Sequence, residues 1–95
     1  MCRLEIIANK SVEEDIIETL EQNIEGILYT TIPLAYGRGG ENYKMGTTTW
    51  PETNFVLISY IEDSQLESAK AVVAAVKKRF SKEGIKFFCV KAEDL

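Results

Sequence analysis

The chain has 95 residues, which suffices for one domain with an adequate core. A net charge of −4 and a pI near 4.8 exclude a general nucleic-acid binder, which needs a basic surface. Histidine is absent, which removes the commonest general base, zinc ligand and pH switch together, and the two cysteines, Cys2 and Cys89, form no Cys-x-x-Cys pair.

In chain order, Cys2, Leu4, Ile6 and Ala8 alternate with Arg3, Glu5, Ile7 and Asn9, which predicts a strand over 2–8. This opening is too short and too charged for a leader, and no run is long enough to span a bilayer, so a cytoplasmic protein without membrane insertion is expected. Asn9-Lys10 is a turn. Ser11 and Glu14 have the spacing of a capping box. The helix after it places Val12, Ile16, Ile17, Leu20 and Ile24 on one face. Glu13, Asp15, Glu18, Glu21 and Glu25 lie opposite and read as a solvated face. Gly26 ends the helix. A second strand runs over 27–35, and Pro33, which lacks a backbone donor, puts it at an edge or marks a bulge.

After a long loop, 55–61 is a third strand, apolar on both parities and so expected to be buried on both faces. Ser64 and Glu67 repeat the capping-box spacing. The second helix turns Leu66, Ala69, Val72, Val73, Val76 and Phe80 inward. Lys77, Lys78, Arg79 and Lys82 suit the negative end of its dipole, and they are also available to an anion. Gly84 stops the helix, 85–91 is the fourth strand, and 92–95 is a tail.

The loop over 36–54 shows neither helical nor strand periodicity. It holds four of the six glycines, the only tryptophan and three consecutive threonines. A loop near 20 residues is usually functional or disordered. Tyr43, Met45 and Trp50 argue against a linker, because linkers are poor in such groups. Gly37, Gly39 and Gly40 permit conformations that aim successive N–H groups at an anion, with Arg38 and Lys44 supplying charge; tight turns use glycine as well. Trp50 either packs the loop onto the scaffold or joins Tyr43 and Met45 in anchoring a partner.

The order β-α-β-β-α-β predicts one α+β domain over 1–95, the ferredoxin-like sandwich. Right-handed crossovers put both helices on one face of a four-stranded antiparallel sheet, with the first and third strands central. The other face, with Ile7, one parity of 55–61, Phe88 and Val90, is left apolar and uncovered, which predicts a symmetric homo-oligomer. Cys2 and Cys89 fall near one another on adjacent strands, either as cross-strand neighbours or as separate reduced core thiols.

A ferredoxin-like chain with a long loop between its second and third strands resembles the PII signalling family. Tyr36-Gly37-Arg38 matches the aromatic-Gly-Arg turn through which that family enters its T-loop. The resemblance implies a homotrimer packed through open sheet faces. It further implies an adenine nucleotide or other small anion as effector in clefts between subunits, and a partner protein contacted by the loop. Gly37 and Arg38 would lie at the mouth of such a cleft. The family's glycine-rich phosphate-binding segment before the last strand, with its Thr-Gly start and Gly-Asp-Gly-Lys core, has no counterpart; Lys82-Glu83-Gly84-Ile85-Lys86 stands there instead.

Three rival classes fit less well. An acylphosphatase-type enzyme needs an arginine-bearing phosphate loop after the first strand, where only Asn9-Lys10 stands. An RNA-recognition module needs exposed aromatics in the third strand and a basic face. A CutA-like, metal-associated trimer lacks clustered soft ligands here. No catalytic group is expected, since Thr47, Thr48 and Thr49 have no adjacent base. The expectation is a non-enzymatic sensor signalling through loop order, with a protein-binding module that needs no effector as the alternative.

Overall fold

In the computed structural model, which describes residues 1–95, β1 (Cys2–Asn9) buries every second side chain: Cys2, Leu4, Ile6 and Ala8 are at most 3% exposed. Helix α1 (Glu13–Asn23) lays Ile16 and Leu20 on them. The chain continues through β2 (Thr30–Ala35), β3 (Gly37–Gly39), β4 (Asn42–Lys44), β5 (Asn54–Ile61), α2 (Leu66–Arg79) and β6 (Ile85–Lys91). The main sheet has the order β2-β5-β1-β6, with every neighbouring pair antiparallel. This is the expected split βαβ arrangement, with β1 and β5 central and both helices on one face. Sixteen buried residues form a single core between sheet and helices. Asp15 of α1 and Arg79 of α2 approach to 3.6 Å across the helix layer.

Pro33 has the consequence expected of a missing donor. β2 is an edge strand, and its pairing with β5 slips between Ile32 and Ala35. β2 begins at Thr30 rather than at residue 27. Gly26, at φ +69°, sits in the turn closed by the Ile27 N–H on the Ile24 carbonyl.

Several expectations require correction. The 36–54 loop is not without periodic structure: β3 and β4 pair as an antiparallel hairpin. β5 is not buried on both faces. Phe55, Leu57, Ser59 and Ile61 meet the helices, whereas Val56 and Ile58 are half-buried and Tyr60 is 53% exposed. The buried Ser59 is satisfied by donating to the Leu28 carbonyl at 2.6 Å. Neither predicted capping box forms. Asn9 caps the first turn by accepting from the Ser11 N–H at 3.0 Å, and the Gln65 side chain accepts from the Glu62 N–H at 3.0 Å. At α1 the polar residue ahead of the predicted cap takes the orphan donor, and before α2 a capping box forms two residues earlier than expected, between Glu62 and Gln65. Helix α2 ends at Arg79, before Gly84, where the Glu83 N–H turns back to the Phe80 carbonyl.

The open face of the sheet carries Ile7, Ile32, Val56, Ile58, Tyr60, Phe88 and Val90 by register. Arg3 and Glu5 lie among them on β1, 3.4 Å apart, and the Arg3 Nε is buried without an acceptor. Cys2 is buried and Cys89 exposed, so only one of the two is a core thiol.

The core assignment predicts that Phe55→Ala costs about 3–5 kcal/mol in chemical denaturation followed by circular dichroism. A loss below about 1 kcal/mol would show that the two faces of β5 have been exchanged.

Candidate functional site

The β3–β4 hairpin is short, and its tip is made by glycine. Gly37 pairs with Lys44, Arg38 with Tyr43 and Gly39 with Asn42. Gly40 closes the turn at φ +59°, a left-handed conformation that a side chain disfavours. Residues paired across two strands share a face, so Arg38 and Tyr43 stand together. The guanidinium carbon lies 5.2 Å from the Tyr43 ring centre, and Arg38 Nε donates to the Gly40 carbonyl at 2.8 Å. Tyr43 in turn meets Trp50, with ring centres 4.9 Å apart and planes at 49°. This tilted geometry is one that aromatic pairs favour.

Trp50 is held by its own turn. The Thr47 N–H donates to the Trp50 carbonyl at 2.9 Å, and the Trp50 N–H donates to Thr47 Oγ1 at 3.0 Å. Gly46, at φ +65°, lets the returning chain pass Tyr36: a Cβ there would stand 3.2 Å from both the Tyr36 ring and the Thr53 methyl.

Glu52 fastens this assembly to the scaffold. One carboxylate oxygen accepts from Lys44 Nζ at 2.7 Å, and the other accepts from Asn9 Nδ2 at 2.9 Å. Asn9 is 3% exposed and closes β1. Its side chain also accepts from the Ser11 N–H, and its own N–H donates to the Gly84 carbonyl at 3.3 Å. Beside it, the Lys10 N–H donates to the Thr53 carbonyl at 2.9 Å. The hairpin, the end of β1, the start of the first helical turn and the turn before β6 therefore meet at one place. The Lys44 ammonium, and then the Asn9 amide, hold the Glu52 carboxyl below its ordinary value, because both stabilise the ionised form.

The residues expected to bind a ligand do not form one cradle. Gly37 is at the hairpin base, where a Cβ would come within 3.2 Å of the Asn54 side chain, while at Gly39 and Gly40, at the tip, a Cβ would meet nothing within 4 Å. The Gly40 carbonyl, rather than a row of N–H groups, faces the Arg38 side chain. Lys44 stands opposite Gly37 and is engaged by Glu52. Of the residues expected to meet a partner, Tyr43 and Trp50 form a pair, and Met45 is 39% exposed. Trp50, at 38% exposure, packs on Tyr43 within the loop.

Asn9 and Glu52 were not among the expected site residues. Asn9 had a signal, since Asn side chains often bond a backbone N–H two residues on. Glu52 had none, because its partners lie 8 and 43 positions away. A separate cavity of about 540 Å³, lined by Leu28, Tyr29, Ile58, Tyr60, Glu93 and Asp94 among others, holds no expected ligand residue. Its carboxylates oppose an anion.

Glu52 gives the hairpin a pH dependence. Its folded-state value is depressed, so its contribution is complete above the ordinary value of 4.5 and is lost as pH falls below that toward the folded value. Emission from Trp50, the only tryptophan, is expected to change in that acidic window. In Glu52→Gln the transition is expected to vanish. Identical titrations of the two proteins would remove Glu52 from the fastening.

No protein-family model matches the chain, and no curated protein matches it. Solved structures do. CPII, a nitrogen regulatory PII-like protein from Thiomonas intermedia K12, bound to ADP, AMP and bicarbonate, is similar with a TM-score of 0.66. The identity is 16%, over 94% of this chain and 84% of that one. A DUF3240 family protein from Shewanella baltica OS155 matches with a TM-score of 0.62 and 16% identity, over 99% of this chain and 92% of that one. A de novo designed protein, Foldit4, matches with a TM-score of 0.59 and 10% identity, over 97% and 98% of the two chains. A designed chain among the matches shows that this architecture alone does not carry a function. The fold of this chain is the α+β ferredoxin-like fold that PII-like proteins share.

Proposed function

We propose that this chain is a divergent PII-like regulatory protein, without enzymatic activity, whose 36–54 hairpin changes order when a small anion binds at its base. The observation that carries the reading is the Lys44–Glu52 ion pair at 2.7 Å. It is the charged link at the foot of the hairpin, and Glu52 is 58% exposed at its side chain. A phosphate or carboxylate that takes Lys44 displaces Glu52 and frees the hairpin from Asn9. Arg38 stands with Tyr43 on the other face of the hairpin from Lys44, so Lys44 is the cation that meets the anion. CPII, with its bound ADP, AMP and bicarbonate, supports an effector of this class, an adenine nucleotide or another small anion. The mechanism is an order–disorder switch read by a partner protein. Tyr36, Met45 and Trp50 offer that partner exposed aromatic and apolar groups, with Tyr43 half-buried beside Trp50.

The open sheet face supports self-association, which we take as a homotrimer in the cytoplasm, as the PII resemblance implies. Tyr60, Phe88 and Val90 are each more than half exposed. Exposed apolar side chains grouped on one face are what a second copy of the chain would cover. No helix is long and apolar enough to cross a membrane. The hairpin's existing order favours a second reading, a protein-binding module that needs no effector: its Tyr43–Trp50 pair is formed without a ligand.

Thermal shift against nucleotides, phosphates and carboxylates separates the two readings, because a ligand of the folded state raises the melting temperature. A stabilising anion whose affinity falls about ten- to a hundredfold in Lys44→Gln, with the assembly mass unchanged, is expected for the sensor. Indifference to every compound favours the module. Light scattering of Tyr60→Asp is expected to show single chains where the parent shows three. A parent that is itself monomeric overturns the trimer.

A further inference from the structure

Cys2 and Cys89 stand apart from the hairpin and take no part in the reading above. Register places Cys89 opposite Leu4 and Cys2 opposite Lys91 on the neighbouring strands β6 and β1. Leu4 and Cys2 point to the same, helix-facing side of the sheet, so the two thiols share that side as diagonal neighbours. Their environments differ. Cys2 is 3% exposed, whereas Cys89 is on an edge strand and open to solvent. Burial, and then the adjoining Cys89 thiol, push the Cys2 thiol up to about 11. One thiol is therefore accessible, and the other is shielded and set against it.

We propose that Cys89 and Cys2 form a reversible redox modification site, in which a low-molecular-weight disulfide of the glutathione class converts the pair to an intramolecular disulfide. In the first step the Cys89 thiolate attacks one sulfur of the external disulfide; its proton goes to solvent and one external thiol leaves. In the second step the Cys2 sulfur, losing its proton, attacks the Cys89 sulfur of the mixed disulfide and expels the second external thiol. The protein pair is oxidised by two electrons, and the external disulfide is reduced to two thiols. Burial restricts direct attack by Cys2 on the external disulfide, which sets the order of the steps.

The bond draws β6 toward β1. Diagonal neighbours lie about 7–8 Å apart or somewhat less between β carbons, and a disulfide holds them at about 3.5–4.5 Å. A bond that must move an edge strand is readily reduced, which suits a reversible mark more than a permanent staple. The shift also moves Phe88 and Val90, which flank Cys89 on the opposite face of β6.

The test treats the reduced, full-length protein with oxidised glutathione and follows intact mass, free thiols and non-reducing gel mobility. The expected product is a single chain lighter by about two mass units. It should carry no adduct and no free thiol, and dithiothreitol should restore it. Cys89→Ser, at an exposed position, is expected to stay folded and to take up no glutathione, while Cys2→Ser stops at a glutathione adduct on Cys89. In the parent, a maleimide is expected to label Cys89 about tenfold faster than Cys2 or more. A stable adduct on Cys89 of the parent, a disulfide between two chains, or two thiols left free each overturns the proposal.

Discussion

The buried side chain of Asn9 is the point on which the rest of the molecule turns. A buried amide must find partners for its donors and acceptor, and here they come from three separate parts of the chain. Its oxygen takes the Ser11 N–H and so starts the first helical turn. Its nitrogen donates to Glu52 and so fixes the foot of the hairpin. Its backbone N–H reaches Gly84 and so positions the turn into β6. A single residue at the end of a central strand thereby joins both halves of the fold to the segment between them. The hairpin is ordered because it is tied there and because Tyr43, Trp50 and Arg38 pack on one another, although none of these contacts is deep in the core.

The two faces of the sheet illustrate how one pattern yields opposite outcomes. Side chains alternate along β5, and both alternating sets are largely apolar. The helices can cover only one of them. Phe55 and Leu57 are covered completely, while Val56, Ile58 and Tyr60 remain at an open surface. β1 shows the same division, with Leu4 and Ile6 inside and Arg3, Glu5 and Ile7 outside. The Arg3–Glu5 ion pair interrupts this apolar face, and the Arg3 Nε is shielded from solvent without an acceptor.

The comparisons and the site carry different weights. PII-like proteins and a designed protein share this architecture at identities of 16% and below, so the architecture identifies a scaffold. At the foot of the hairpin one carboxylate is held by one ammonium and one amide. The Glu52 carboxylate in that link is more than half exposed, so it is open to solvent and solutes. The glycines serve the geometry of the hairpin more than the ligand: Gly40 turns the tip and Gly46 clears Tyr36.

Much of the fold was legible because local periodicity reports burial. The alternation in 2–8, the helical stripe from Leu66 to Phe80, and the missing donor of Pro33 each led to the observed strand, helix and edge. The capping residues were misplaced by one or two positions, because several polar side chains compete for the same orphan N–H groups and only the entering backbone decides among them. The hairpin within 36–54 was not legible, since three-residue strands are too short to show a period. The cysteines were placed on neighbouring strands but not in their unequal exposure. The order of elements, and from it the two-layer architecture, follows from patterns among neighbours within a few residues, as does the aromatic character of the loop. That Glu52 joins Lys44 and Asn9, that β5 has one covered face, and that Cys2 and Cys89 share one side of the sheet emerges only once the chain is folded. Those facts depend on contacts between distant positions, which no local pattern encodes.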